Sequence, residues 1–270
     1  MSSEGADSTI IDANNFGTVV TITDGSDAML DGFTLQNGYT SGSGTKSGGL
    51  IVLNNDAVIK NCIIKNNQGH QGGGIYSQAG SFYNCQIIDN TAEFTGGGVE
   101  VNDIGGNSEY QLFENCLIAN NGPALGAGIY GPCRLVNTTV VNNTGNYGIA
   151  SAGTSTIINS IIYGNDGDEI GSFTATVTYS LIEGGYTGTG NIDVDPMFVD
   201  TANGDYHLLA SSQLINAGHP DSTDSDGTRA DMGANPYLNN YSGPDWFVSE
   251  SGNDTTATGA SDDPFRSIQA

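Results

Sequence analysis

The sequence predicts an all-β fold: a right-handed parallel β-helix of about seven to eight coils, closed at its C-terminal end by a loop-rich capping segment. Three observations carry that expectation. One string, AVIKNCIIKNN at Ala57 to Asn67, returns as GSFYNCQIIDN (Gly80 to Asn90), QLFENCLIANN (Gln111 to Asn121), CRLVNTTVVNN (Cys133 to Asn143) and STIINSIIYGN (Ser155 to Asn165). Its mid-unit asparagines, Asn61, Asn84, Asn115, Asn137 and Asn159, recur at spacings of 22 to 31 residues, and fixed-period self-similarity marks a repeat architecture. Each unit also carries a second, glycine-led string: GGLIV, GGGIYS, GGGVEV, GAGIYG and YGIAS. No segment has helical spacing; short runs of β-branched and apolar residues broken by Asn and Gly read as strands and corners.

Taken in order, Ser8 to Ile22 is a strand, an Asn-Asn turn and a second strand. The repeats follow, with looser copies at Ala28 and Thr176. Around each mid-unit asparagine, apolar residues stand two before (Ile59, Phe82, Phe113, Leu135, Ile157) and three after (Ile64, Ile87, Ile118, Val140, Ile162). Leu50, Ile75, Val99, Ile129 and Ile149 form a third apolar column. Coils stacked at about 4.8 Å would make a rod on the order of 40 Å long with like side chains touching inside it.

The asparagine column has a structural explanation. Asn tolerates the left-handed backbone region at corners, and stacked amides can bond to one another along the rod. A second file (Asn67, Asn90, Asn121, Asn143, Asn165) is expected to cap the next corner. Cys62, Cys85 and Cys116 share the position after the first file, which continues as Thr138, Ser160 and Ser180; buried free thiols are expected there rather than disulfides or a metal site. Cys133 lies outside that column. The polar insertions Gly38 to Ser47 and Asn102 to Glu109 project from the coil as candidate binding loops.

The domain boundaries expected are 1–188 for the β-helix, 189–238 for the capping segment and 239–270 for the start of a further unit or an inter-subunit strand. In the capping segment, DSTDSDGTRAD sets Asp221, Asp224, Asp226 and Asp231 around Gly227. Oxygen ligands at alternating positions before a glycine are the pattern of Ca²⁺ loops, so these four residues are the candidate metal ligands. The loop lacks the terminal glutamate of an EF-hand, and a plain Asx-turn loop is the alternative.

Six Lys plus Arg against thirty Asp plus Glu give a net charge of -24, which argues against nucleic acid, whose phosphates need basic side chains. No apolar run reaches the roughly 18 residues of a membrane helix, so membrane insertion is not expected. The acidic excess favours divalent cations over anionic partners.

Ser8 to about Tyr237 resembles the secreted right-handed parallel β-helix repeat proteins of bacteria and archaea, with their pectate-lyase-like fold. The alternation of GGGIYS with FENCLIANN is similar to the GGA[ILV] and FxxN repeats of polymorphic outer-membrane adhesins. The stretch from Asn191 to Ala234 resembles the closing segment of such domains in large cell-surface proteins, and WFVSESGNDTTATGASDDPFRSIQA resembles the opening of another. The resemblance implies an extracellular, cell-surface location and a chain excerpted from a tandem array. It also implies a non-catalytic structural or adhesive role, with head-to-tail self-association or cell-surface glycans as partners.

The same coil carries lyases and epimerases, which need a base near a substrate carboxylate and positive charge to hold the resulting anion. Lys60, Lys65, His70 and Arg134 are dispersed, no clustered aspartates stand on one face, and no catalytic residue is nominated. The runner-up function is therefore a carbohydrate-active protein, polysaccharide lyase- or epimerase-like or glycan-binding, with a groove lined by Tyr76, Tyr83 and Tyr130. His207 and His219 are expected to be structural.

Overall fold

A computed structural model describes residues 1–23, 27–44, 46–53, 57–102, 111–150, 153–171, 174–238, 246–259 and 263–267. Among these residues the chain winds through three long parallel sheets in about seven turns, with a fourth, two-stranded parallel sheet formed by Gln68–Gln71 and Thr91–Thr95. Sheet I holds Met29–Asp31, Val58–Lys60, Ser81–Tyr83, Gln111–Glu114, Cys133–Val136, Ser155–Ile158 and Ala175–Thr178. Sheet II holds Ile10–Asp12, Thr34–Gln36, Ile63–Lys65, Gln86–Ile88, Leu117–Ala119, Thr139–Val141, Ile161–Tyr163 and Leu181–Ile182. Sheet III holds the glycine-led strands Val20–Ile22, Leu50–Val52, Ile75–Ser77, Val99–Val101, Ile129–Tyr130, Tyr147–Ala150 and Asp168–Ile170.

The predicted columns are the registers of these sheets. On sheet I, Ile59 pairs with Phe82, Phe82 with Phe113, Phe113 with Leu135 and Leu135 with Ile157. On sheet II the file is Ile64, Ile87, Ile118, Val140 and Ile162; on sheet III it is Leu50, Ile75, Val99, Ile129 and Ile149. All these side chains are fully buried and meet in one continuous core. Because each inward residue touches its counterpart on the adjacent coils, apolar surface is removed from water at every turn. Phe82 and Phe113 stack with ring centroids 4.7 Å apart.

Sheet I turns into sheet II at the mid-unit asparagines, which all lie in the left-handed region with φ between 45° and 53°. Asn tolerates this backbone far better than a β-branched residue, which explains the column. The first file makes one amide-to-amide bond, from Asn84 Nδ2 to Asn61 Oδ1 at 3.3 Å, whereas the continuous ladder belongs to the second file. Asn67, Asn90, Asn121 and Asn143 each donate both the backbone N–H and Nδ2 to Oδ1 of the next asparagine, at 2.8 to 3.0 Å. The second Nδ2 proton of each goes to a carbonyl of the neighbouring coil, as from Asn121 to Ile87. The residues just before this file, such as Asn66, Asn120 and Asn142, take up the left-handed bend instead. The second file points into the core along its whole length, where unpaired amides are costly and are therefore all paired, whereas the first file runs from exposed Asn61 and Asn84 to buried Asn159.

Cys62, Cys85, Cys116 and Cys133 are buried and free. Each of the first three thiols points to a backbone carbonyl, for example Cys62 Sγ to Lys60 O at 3.1 Å.

The C-terminal segment does more than close the end. Residues 189–192 extend the last coil, with Ile192 bridging to Leu181 and bonded to Ser180. The chain then doubles back along the outer face of sheet II. Leu208, Leu214 and Met232 pack on Ile161 and Leu181, and Tyr206 packs on Leu117, Ala119 and Val141. Gly233 N–H bonds to Asn159 O, Ala234 N–H to Thr139 Oγ1, and Tyr206 Oη to the side chains of Asn120 and Asn142. The described part of the trailing segment pairs within itself, Val248 bridging to Phe265.

Candidate functional site

Two places on the rod gather side chains with chemistry, and the predicted metal loop is a third. The first lies on the outer face of sheet III. Register stacks Tyr76, Glu100 and Tyr130 in one outward column. The Gly38–Ser47 insertion brings Lys46 back over this column, placing Nζ 4.3 Å from the centre of the Tyr76 ring. Lys46 Nζ also donates to Gln71 Oε1 at 3.1 Å, and Gln71 Nε2 donates to Glu100 Oε1 at 3.2 Å. Tyr76 Oη accepts from Asn102 Nδ2 at 2.7 Å. Tyr76 and Glu100 are thereby almost wholly removed from solvent, at 1% and 3% exposure. Burial pushes the Glu100 carboxyl up, against the opposing influence of Thr95, Lys46 and His70. Its second oxygen, Oε2, is buried without a hydrogen-bond partner, as is Thr95 Oγ1. Beside the cluster, His70 Nδ1 meets Glu93 Oε2 at 2.9 Å, and the exposed Phe94 ring lies parallel to the imidazole.

The second place is the C-terminal end of the asparagine ladder. A cavity of about 360 Å³ is bounded by 167–170 and 182–186, with Glu169 and Glu183 in its wall. Glu169 occupies the position where earlier coils carry glycine, and its carboxylate accepts the two donors of Asn165 that an asparagine would otherwise receive. Burial pushes its carboxyl up to about 7; the Asn165 bonds pull it down and Glu183 pushes it further up. Glu183 accepts the Gly164 N–H at 2.9 Å.

The acidic loop places its four predicted ligands within an Asx-turn network. Asp231 Oδ1 accepts Asn216 N–H and Oδ2 accepts Tyr237 N–H, both at 2.6 Å. Asp224 Oδ2 accepts Asp231 N–H, and Asp226 Oδ1 accepts the N–H and hydroxyl of Thr228. Asp221 lies exposed at the loop's start. Both Asp231 oxygens are engaged by backbone amides, and among the described residues no three His, Cys, Asp or Glu side chains are placed to hold a metal ion. Burial pushes the Asp231 carboxyl up to about 6, although the two amide bonds pull it down.

The three tyrosines named for a groove do not share one: Tyr76 and Tyr130 stand on sheet III, while Tyr83 stands on sheet I. Lys60 shares its column with Tyr83 and Glu114, and Lys65 its column with Ile88 and Ala119, as the sequence indicated. Lys60 pairs with Asp31 at 3.5 Å, a partly exposed contact of little energetic weight. His207 bonds to Asp205, and His219 packs edge-on against Tyr179. The insertion Asn102 to Glu109 lies outside the described residues apart from Asn102. No helix among the described residues is long and apolar enough to cross a membrane. Sequence reasoning missed both clusters. The signals were a charged residue, Glu100, in a file of tyrosines, and Glu169 at a glycine position.

The chain matches no protein-family model and no curated protein.

Proposed function

We propose that this chain is a non-catalytic structural or adhesive module of an extracellular surface protein. What carries the reading is the through-going asparagine ladder, bonded without a break from Gly38 N–H on Asn67 to the carboxylate of Glu169. A device repeated on successive coils holds a rod at fixed pitch and resists extension, which is the demand on a surface spacer. The first strands of the three sheets, Ile10–Asp12, Val20–Ile22 and Met29–Asp31, are their terminal strands, and Ile10 and Met29 are half exposed. As the outermost described strands they leave sheet edges that, apart from the bond of Ser2 N–H to Asp31 O, are open to further strands, so head-to-tail association between copies belongs to the same proposal.

Two measurements test it. Incubation with acidic and neutral polysaccharides, followed by unsaturated-product absorbance and reducing-end formation, is expected to give no protein-dependent rise; sustained turnover sinks the non-catalytic reading and favours the carbohydrate-active one. Sedimentation velocity over a concentration series is expected to show growth to longer species. A single dispersed monomer at the highest concentration removes self-association.

A further inference from the structure

We propose that Lys46 and Gln71 form an autocatalytic isopeptide cross-link with Glu100 as the proton-transfer group, because the Lys46 amine abuts a carboxamide whose nitrogen touches a buried glutamate. The three residues come from successive coils. Lys46 precedes strand Leu50–Val52, Gln71 ends strand Gln68–Gln71, and Glu100 lies in Val99–Val101. Lys46 Nζ is 3.1 Å from Gln71 Oε1, and Gln71 Nε2 is 3.2 Å from Glu100 Oε1, so amine, carboxamide and carboxylate are consecutive members of one hydrogen-bonded chain. The Tyr76 ring under the ammonium and Glu100 beside the carboxamide are both buried, and Lys46 and Gln71 are half-buried between them and solvent, which holds the reacting groups together.

In the step, the Lys46 ammonium gives one proton to the Glu100 carboxylate, and the amine so formed attacks Cδ of Gln71, forming the new C–N bond as the carbonyl opens to a tetrahedral adduct. Glu100 hands that proton to the departing Nε2 and takes up the one the Lys46 nitrogen sheds. The C–Nε2 bond then breaks, ammonia leaves, and it carries the proton away from Glu100 as ammonium. Alkylammonium plus primary carboxamide become secondary amide plus ammonium, with no change of oxidation state and no co-reactant. Burial raises the Glu100 carboxyl, so the group that touches the departing Nε2 holds a proton more readily than an exposed glutamate does. The product would tie the glycine-serine insertion to the next coil, a covalent staple that does not depend on the module's being adhesive.

Intact-mass measurement of the folded full chain tests this. The expected result is a mass lower than the sequence by one ammonia, a tryptic map in which the Lys46–Ser47 bond survives, and a fragment spectrum joining the peptides that contain Lys46 and Gln71. Lys46→Arg keeps a cation over Tyr76 and Glu100→Gln keeps the shape of the side chain; both are expected to return the full sequence mass. A folded wild-type chain at full sequence mass after prolonged incubation overturns the proposal. So does ammonia loss that maps elsewhere or persists in either variant.

Discussion

Asn165 gives its backbone N–H to one oxygen of Glu169 and its side-chain Nδ2 to the other, so one carboxylate stands where the next asparagine of the ladder would be. A growing stack of amides needs a terminal acceptor, and a glutamate at a glycine position provides it without another coil. Glu169→Ala leaves two buried donors unpaired and is expected to cost about 1–3 kcal/mol, seen as a lower denaturant midpoint at unchanged slope. An unchanged midpoint would mean that water replaces the carboxylate there.

The same group sets a pH dependence. Its carboxyl is raised in the folded chain from 4.5 to about 7, so the folded state binds the proton more tightly than the unfolded state. The contribution to stability is therefore fully present below 4.5 and is lost as pH rises through about 7. Asp231, raised from 3.8 to about 6, has the same sign in a lower window. Thermal melts across this range at fixed ionic strength are expected to show Glu169→Gln with a flatter profile than the wild type. Superimposable profiles would remove Glu169 as a source of the slope.

The two asparagine files are expected to respond differently to substitution. Asn121→Ala deprives Asn90 of the acceptor for two donors and leaves Ile87 O without its amide partner, at a cost of about 2–4 kcal/mol. Asn115→Gly keeps the left-handed bend that φ of 53° requires and is expected to change stability by less than about 1 kcal/mol. Equal losses from the two would contradict this division of labour.

Phe113→Ala is expected to cost about 3–5 kcal/mol, since the ring is fully buried between Phe82 and Leu135 and the neighbouring coils cannot collapse into the gap. Calorimetry on the variant measures it; a loss below about 1 kcal/mol would show that the coils do move together.

Met232→Asp places a charge against Ile161 and Leu181, where Met232 is 1% exposed. The expected outcome is early proteolytic cleavage between 194 and 238 while the coils themselves stay resistant. Simultaneous loss of both parts would mean that the returning segment and the rod unfold as one unit.

The stacking columns were legible because they are periodic. Ile64, Ile87 and Ile118 repeat one chemical choice at one place in each unit, and direct pairing between adjacent coils turns that recurrence into contact. The asparagine files were legible as files, but their roles were not. Whether an amide faces an open corner or the core is decided by one residue of register, and both positions admit Asn.

From the sequence alone came the all-β class, the stacked coils, the identity of the core columns and the dispersal of the basic residues. Tertiary structure alone decided where the non-repeating residues go. The outward positions of sheet II turn apolar from Leu117 through Val141 to Leu181, a trend visible in the chain, but the partner of that face is Tyr206 to Met232, far along the sequence and without any period. The meeting of Lys46, Gln71 and Glu100 was hidden for the same reason. Repetition specifies contacts between equivalent residues, whereas contacts between unlike ones depend on how a particular loop folds back.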